Sequence, residues 1–238
     1  MTEIIRLGDV SIRVTRKDIR NVHLSVHPPS GRVTLTAPES TRLEVARAYA
    51  ISKLGWIKTQ RSALLAQARE TPRRFIERES HWLWGRRHLL SVQSQDCKPF
   101  VCVDHKRITL TVRPGSDLRQ RAEVIHEWHK SLLHAAVPAL IQKWESKLQV
   151  NVARYFLQRM KTKWGSCNHA AGHIRLNTEL VKKPRDLLEY VVVHEMVHLR
   201  EPTHSERFAL ILSAHWPRWR ESRQALNELP LAAESWNR

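Results

Sequence analysis

The segment that most constrains the fold is PRDLLEYVVVHEMVHLREPTH, residues 184–204. Pro184 suits the first position of a helix, and Pro202 ends one, so a helix is predicted over residues 185–200. Apolar residues lie nearly all round this helix, a pattern typical of helices enclosed by the rest of a domain. Any fold of this chain must therefore surround the helix on several sides.

Two histidines and a glutamate interrupt the apolar surface of this helix. His194 and His198 are four residues apart, so their imidazoles lie on one face, at a spacing that lets both bind one zinc ion. Glu195 points to one side of that ion, where its carboxylate can reach a water without being a ligand. Histidines packed in a core are the alternative, but burying these three groups without partners would cost several kcal/mol.

A third candidate ligand follows the end of the helix. Thr203 is predicted to cap a second helix, with Glu206 completing a capping box. His204 would then be the first residue of that helix and approach the metal from a second direction. The candidate zinc ligands are therefore His194, His198 and His204, with an open fourth position, and Glu195 is the candidate catalytic residue.

Two other groups of candidate ligands are weaker. His126 and His129 lie three residues apart on an amphipathic segment and are interpreted as surface or helix-packing residues. Cys167, His169 and His173 could form a second metal site, although a turn with one buried thiol is favoured.

Composition restricts the class of protein. The 238 residues are 42% hydrophobic and include 9 tryptophans, which predicts a globular chain with a substantial core. We expect no membrane-spanning helix and no signal peptide, and the 3 cysteines indicate a reducing, cytoplasmic location. The net charge of +17 would attract nucleic acid, anionic membranes or acidic proteins, although a solvated basic surface explains it equally well.

The hydrophobic pattern predicts an α+β fold. Alternation over residues 4–36 predicts strands, with a hairpin turn at 28–31, and a single helix is predicted from Leu43 to near Arg69. FVCVD and ITLTV predict another strand pair.

Helices dominate after the turn at residues 114–117, and Pro138 is expected to kink or split the first of them. Strands are expected at 150–160 and 173–177. We therefore predict a β-rich domain with one long helix over residues 1–116, and a helical domain with a small sheet over residues 117–238.

Three segments together resemble the YgjP-like metallopeptidase family, which is related to the SprT-like and WLM-type zinc proteases. They are MKTKWGSCN (160–168), IRLNTELVKKP (174–184) and LEYVVVHEMVHLREPTHSERF (188–208), and weaker similarity covers nearly the whole chain. The resemblance implies a zincin-like peptidase domain over residues 117–238, with zinc on His194, His198 and His204 and Glu195 as general acid/base. It also implies that residues 164–167, WGSC, pack beside the active-site helix, where a structural role is favoured.

The resulting hypothesis is hydrolysis of peptide bonds by a zinc-activated water, with Glu195 as the base. The substrate is a protein or peptide, expected to extend along an edge strand such as 173–177, and Tyr190 or His215 is a candidate oxyanion stabiliser. Since the related proteases act on DNA-associated proteins, such substrates would suit the positive charge. Two alternatives stay open: a basic nucleic-acid-binding protein with a structural zinc, and a non-peptidase zinc amidohydrolase.

Overall fold

The computed structural model describes residues 2–27, 31–66, 73–160 and 163–228. These residues have an α+β structure that combines α-helices with three small mixed sheets. They divide into two compact units, one within Met1–Glu70 and the other within Thr71–Ala233. Within the described ranges, no helix has both the length and the apolar character needed to cross a membrane.

The first unit is a four-stranded sheet covered by two helices. Its elements are β1 (Thr2–Leu7), β2 (Val10–Lys17), β3 (His23–His27), β4 (Arg32–Pro38), α1 (Leu43–Ser52) and α2 (Leu54–Ala66). The strand order is β1-β2-β4-β3, with β2 and β4 parallel and the outer pairs antiparallel. Alternate residues of the two central strands are buried against the helices, as the period-2 pattern predicts: Val10, Ile12, Val14, Val33 and Leu35 pack with Ala46, Ala50 and Ile57.

The hairpin arms are confirmed as β3 and β4, whereas residues 28–30 of the predicted turn lie outside the described residues. The single helix predicted from Leu43 is two helices, because the chain leaves helical geometry at Lys53 (φ −102°, ψ 5°). Gly55, which has low helix propensity, follows two residues later. The predicted end near Arg69 also lies outside the described residues.

The second unit begins with another four-stranded sheet and a long helix. The elements are β5 (Ser80–Leu83), β6 (Arg86–Ser94), β7 (Phe100–Val103), β8 (Arg107–Val112) and α3 (Leu118–Leu148). The strand order is β5-β6-β8-β7, and the predicted pair FVCVD and ITLTV is β7 and β8. Asp117 and Gln120 form a capping box at the start of α3.

The predicted boundary at residues 116–117 falls inside this second unit. Leu90, Ile108 and Leu110 of the sheet share one hydrophobic core with Leu133 and Val137 of α3. Because the sheet and α3 bury the same apolar surface, the compact units divide near residue 70 instead.

Helix α3 continues through Pro138, so of the two predicted outcomes the split is wrong and the kink stays a prediction. Proline within a helix costs about 3 kcal/mol. Burial of an apolar side chain recovers about 1.5–3 kcal/mol, and α3 buries Val137, Ile141, Trp144 and Leu148 around and after the proline. Packing therefore outweighs the local cost.

A three-stranded sheet and three helices complete the second unit. They are β9 (Arg154–Gln158), β10 (Gly165–Asn168), β11 (His173–Asn177), α4 (Arg185–Val197), α5 (Glu206–His215) and α6 (Trp219–Glu228), with a 3-10 helix at Thr178–Lys182 before α4. The strand order is β10-β11-β9. The strands predicted at 150–160 and 173–177 are confirmed as β9 and β11, and β10 was not predicted.

Candidate metal centre and active site

Helix α4 is enclosed as its sequence predicts. It contacts α3 on one side and β10, β11, α5 and α6 on others. Nine of its residues are buried: Leu187, Leu188, Tyr190, Val191, Val192, Val193, Glu195, Met196 and Val197. The helix ends at Val197, so His194 lies in its last turn and His198 is its C-cap.

The three predicted ligands come together. Ligand atoms of His194, His198 and His204 lie within 4.8 Å of one another, and the Nε2 atoms of His194 and His204 are 3.0 Å apart. In a tetrahedral site with Zn–N bonds of about 2.0–2.1 Å, ligand nitrogens lie roughly 3.3 Å apart. The three imidazoles therefore fit one metal ion, and among the described residues no other group of metal-ligating side chains converges in this way.

Hydrogen bonding orients one of these rings for metal binding. Nδ1 of His198 donates to the carbonyl oxygen of Glu201 at 3.1 Å, which leaves Nε2 with its lone pair free. By contrast, the buried Nδ1 of His194 has no hydrogen-bond partner among the described residues. A metal on the converging Nε2 atoms would not give this Nδ1 a partner, so its burial remains a cost to the free energy of folding.

His204 lies in the segment between α4 and α5, not at the first position of a helix as predicted. The N-cap of α5 is Ser205, whose hydroxyl accepts from the Phe208 N–H at 3.2 Å. Ser205 is the better cap because its hydroxyl reaches the N3 amide, while Thr203 donates to Glu201 at 3.3 Å instead.

Phe208 has a structural role that was not predicted from the sequence. The centre of its ring lies 5.0 Å from that of His194, 4.6 Å from His198 and 4.8 Å from His204. This apolar ring supports all three imidazoles at once. Its position on the first turn of α5, four residues after His204, is the one sequence signal that could have indicated the contact.

Glu195 is buried beside the imidazoles, with 6% of its surface exposed. Burial raises the pKa of its carboxyl to about 8, while the positive charge of Lys163 acts in the opposite direction. A cation held by the imidazoles would favour the carboxylate and lower this pKa again.

The imidazoles are held in their neutral, metal-binding form. Burial, together with the charges of His198, His204 and Arg223, lowers the pKa of His194 to about 3. Burial also lowers the pKa of His198 and of His204. At neutral pH all three rings therefore retain a lone pair for a metal.

A cleft of about 440 Å³ opens onto the three imidazoles. Strand β10 forms one wall through Gly165, Ser166 and Cys167, and α6 contributes Arg223. Lys163, which precedes β10, and Arg223 are exposed cations that line the cleft. Neither has an ion-pair partner among the described residues. The cleft therefore combines one buried carboxyl with two free positive charges.

The strand predicted to pair with the substrate and one of the two candidate oxyanion stabilisers lie elsewhere than expected. Strand β11 is the central strand of its sheet, so residues 173–177 have no free edge, whereas β10 is an edge strand within the described sheet. Tyr190 lines the cleft, and burial raises its pKa to about 12. His215 lies instead in a separate depression beside Trp144, at 6.4 Å between ring centres.

The weaker ligand groups do not form metal sites among the described residues. His129 is buried on α3, as expected of a helix-packing residue, and His126 accepts from Arg159 at 3.0 Å. Cys167 is half-buried on β10, and burial, together with the charge of Glu195, raises the pKa of its thiol to about 11. This thiol is therefore protonated and unreactive at neutral pH.

Two solved structures are similar to part of the chain. They are the metallopeptidase zymogens abylysin from Pyrococcus abyssi and jannalysin from Methanocaldococcus jannaschii, each 20% identical. Each match covers 38% of this chain, and it covers 90% of the abylysin chain and 92% of the jannalysin chain. The TM-scores are 0.36 for abylysin and 0.34 for jannalysin.

A comparison with curated proteins finds no match. A family model described as YgjP-like, metallopeptidase domain matches residues 20–229, which include α4, β10 and all three clustered histidines. The match extends over most of both compact units. The chain therefore belongs to the YgjP-like metallopeptidase family.

Proposed function

We propose that this protein is a zinc-dependent metallopeptidase in which His194, His198 and His204 bind the metal and Glu195 is the general acid/base. The observation that carries the proposal is the convergence of three neutral imidazoles beside one buried carboxyl at the base of a cleft. Family membership implies a divalent metal and a peptide or protein substrate. Three nitrogen ligands are the donor set of many catalytic zinc sites.

A zinc ion in this position would polarise the scissile carbonyl and make a water nucleophilic near neutral pH. Structural zinc sites usually have four protein ligands, often including cysteine. The cluster contains three histidines and no cysteine within the described residues, which favours a catalytic over a structural role.

Glu195 supplies the proton transfers in this proposal. Its carboxylate takes a proton from the attacking water and later returns it to the leaving amine. The apolar residues of α4 around it, including Val191, Val192 and Met196, exclude bulk water. Exclusion of water strengthens the electrostatic interactions of the carboxylate with the reacting groups.

The exposed edge of β10 provides a path for the substrate. A peptide extended along Gly165–Asn168 would pair with this edge by main-chain hydrogen bonds and bring a peptide bond to the imidazoles. Lys163 and Arg223 would favour substrates with acidic side chains beside that bond.

The direct test combines metal analysis with a peptide-cleavage assay on wild type and the variant Glu195→Gln. We expect about one zinc per chain in both proteins and a loss of at least about 100-fold in kcat for the variant. Glu206→Gln is the matched control, because Glu206 is exposed on α5 and does not line the cleft. Equal cleavage by wild type and Glu195→Gln would show that Glu195 is not the base.

The net charge of +17 favours a finer hypothesis, in which the substrates are DNA-associated proteins. DNA retention that falls steeply with salt, with cleavage of DNA-bound proteins, would support it. Absence of DNA binding at low salt would remove it.

Two outcomes would favour the alternative functions. DNA binding with zinc bound but without hydrolysis would favour a nucleic-acid-binding protein with structural zinc, and cleavage of non-peptide amides alone would favour an amidohydrolase.

A further inference from the structure

Gly165, in the WGSC segment, has no backbone reason to be glycine. Five of the other six glycines, Gly8, Gly31, Gly85, Gly115 and Gly172, have positive φ and need the conformational freedom of glycine. Gly165 has no positive φ and lies at the first position of β10. The reason for glycine must therefore come from its neighbours.

The neighbour is the side chain of Glu195. A Cβ atom added to Gly165 would lie 2.6 Å from Oε1, 2.7 Å from Cγ and 2.8 Å from Cδ of Glu195. Contacts below 3.0 Å between such atoms are strongly repulsive. The carboxyl of Glu195 therefore occupies the space that any side chain at residue 165 would fill.

The strand cannot easily move away to relieve such a clash. Gly165 pairs with Leu176, which is fully buried, and cross-strand partners share a face of the sheet. The preceding residues are held by the buried Asn177, whose side chain donates to Lys163 O at 2.8 Å and whose backbone N–H donates to Trp164 O at 2.9 Å. The Glu195 side chain is the part that would have to move.

We infer that Gly165 is a positioning residue for Glu195: its missing side chain allows the carboxyl to lie against the edge strand, beside the imidazoles. The catalytic consequence rests on the proposed function, whereas the contact itself does not. The position of the carboxyl is set jointly by α4, which carries it, and by β10, which leaves room for it.

The test is Gly165→Ala, read out by kinetics and by a stability cycle. Since displacement of a reacting group by about 1 Å can cost about 100-fold in rate, kcat should fall about 10- to 100-fold, while KM and zinc content change less than about twofold. The melting temperature should fall by about 3–9 °C, as for an overpacked site. In a Glu195→Ala background that fall should largely vanish, because the clashing atoms are gone.

Gly55→Ala is the matched control. Gly55 also lacks positive φ, and a Cβ there would meet nothing within 4 Å, so no loss of stability or activity is expected. An equal fall in melting temperature with and without the Glu195 side chain, or an unchanged kcat in Gly165→Ala, would overturn the inference.

Two further outcomes are informative. If Gly165→Ala fails to fold, folding of Gly165→Ala combined with Glu195→Ala supports the inference, and failure of both overturns it. If wild type cleaves no peptide, the proposed function fails, and the stability cycle alone then decides whether Gly165 positions Glu195.

Discussion

Removal of the metal should destabilise the second compact unit. The three imidazoles belong to the end of α4 and to the segment before α5, so a bound ion would join two parts of the chain whose rings also pack on Phe208. A ligand at 100 times its Kd stabilises the folded state by about 2.7 kcal/mol. The unit has about 160 residues, and an unfolding entropy of about 2.1 cal/mol/K per residue then gives a shift of about 8 °C.

The assay is calorimetry of the zinc-loaded and the chelator-treated protein, with hydrogen exchange to locate the change. Chelation should lower the melting temperature by about 8 °C and increase exchange in α4. No change is expected in β1–β4, which carry none of the three clustered histidines.

His204→Ala should abolish most of this zinc-dependent shift. The matched control is His105→Ala, because His105 is exposed in the same unit and outside the cluster. A zinc-dependent shift of the same size in wild type and His204→Ala would refute the assignment of His204, and no shift in wild type would refute the metal site itself.

Three further predictions concern the surroundings of the site. Arg223→Gln should lower kcat/KM about 10-fold for peptides with an acidic residue beside the cleaved bond and leave kcat/KM for neutral peptides nearly unchanged. Matched pairs of acidic and neutral peptides test this, and an equal loss of kcat/KM for both would contradict it. Glu189→Ala should cost about 1–3 kcal/mol in urea unfolding, because it removes the acceptor 2.8 Å from the indole nitrogen of the buried Trp144, whereas Glu189→Gln should cost less. His129→Phe should flatten the pH dependence of stability below about pH 6.5. Burial holds the pKa of His129 well below its usual value, so in acid the imidazole of His129 takes up a proton in the unfolded chain before it does so in the folded protein. The free energy of unfolding therefore keeps the full contribution of His129 above pH 6.5 and falls below it by up to about 1.4 kcal/mol per pH unit. An unchanged slope in the variant would exclude His129 as the source.

Features encoded in short runs of residues were predicted from the sequence more accurately than features that depend on contacts between distant elements. The period-2 strands of the first unit and the enclosed helix α4 were predicted correctly, because each is encoded in a short run of apolar residues. The boundary near residue 70 was not predicted, because it depends on which surfaces the sheet β5–β8 shares with α3. Strand β10 was missed because GSCN has no alternating pattern and is extended only through its pairing with β11.

The sequence by itself determined the candidate ligands on α4, since residues four apart on a helix must share a face, and it indicated His204 from the turn that follows. Only the tertiary structure decided how those groups are arranged. Phe208 supports the three rings from α5, β10 instead of β11 is an edge strand of the sheet that the structure describes, and the missing side chain of Gly165 leaves room for Glu195. The physical reason is that a helical period fixes neighbours within one element, whereas contacts between elements depend on packing that no local pattern encodes.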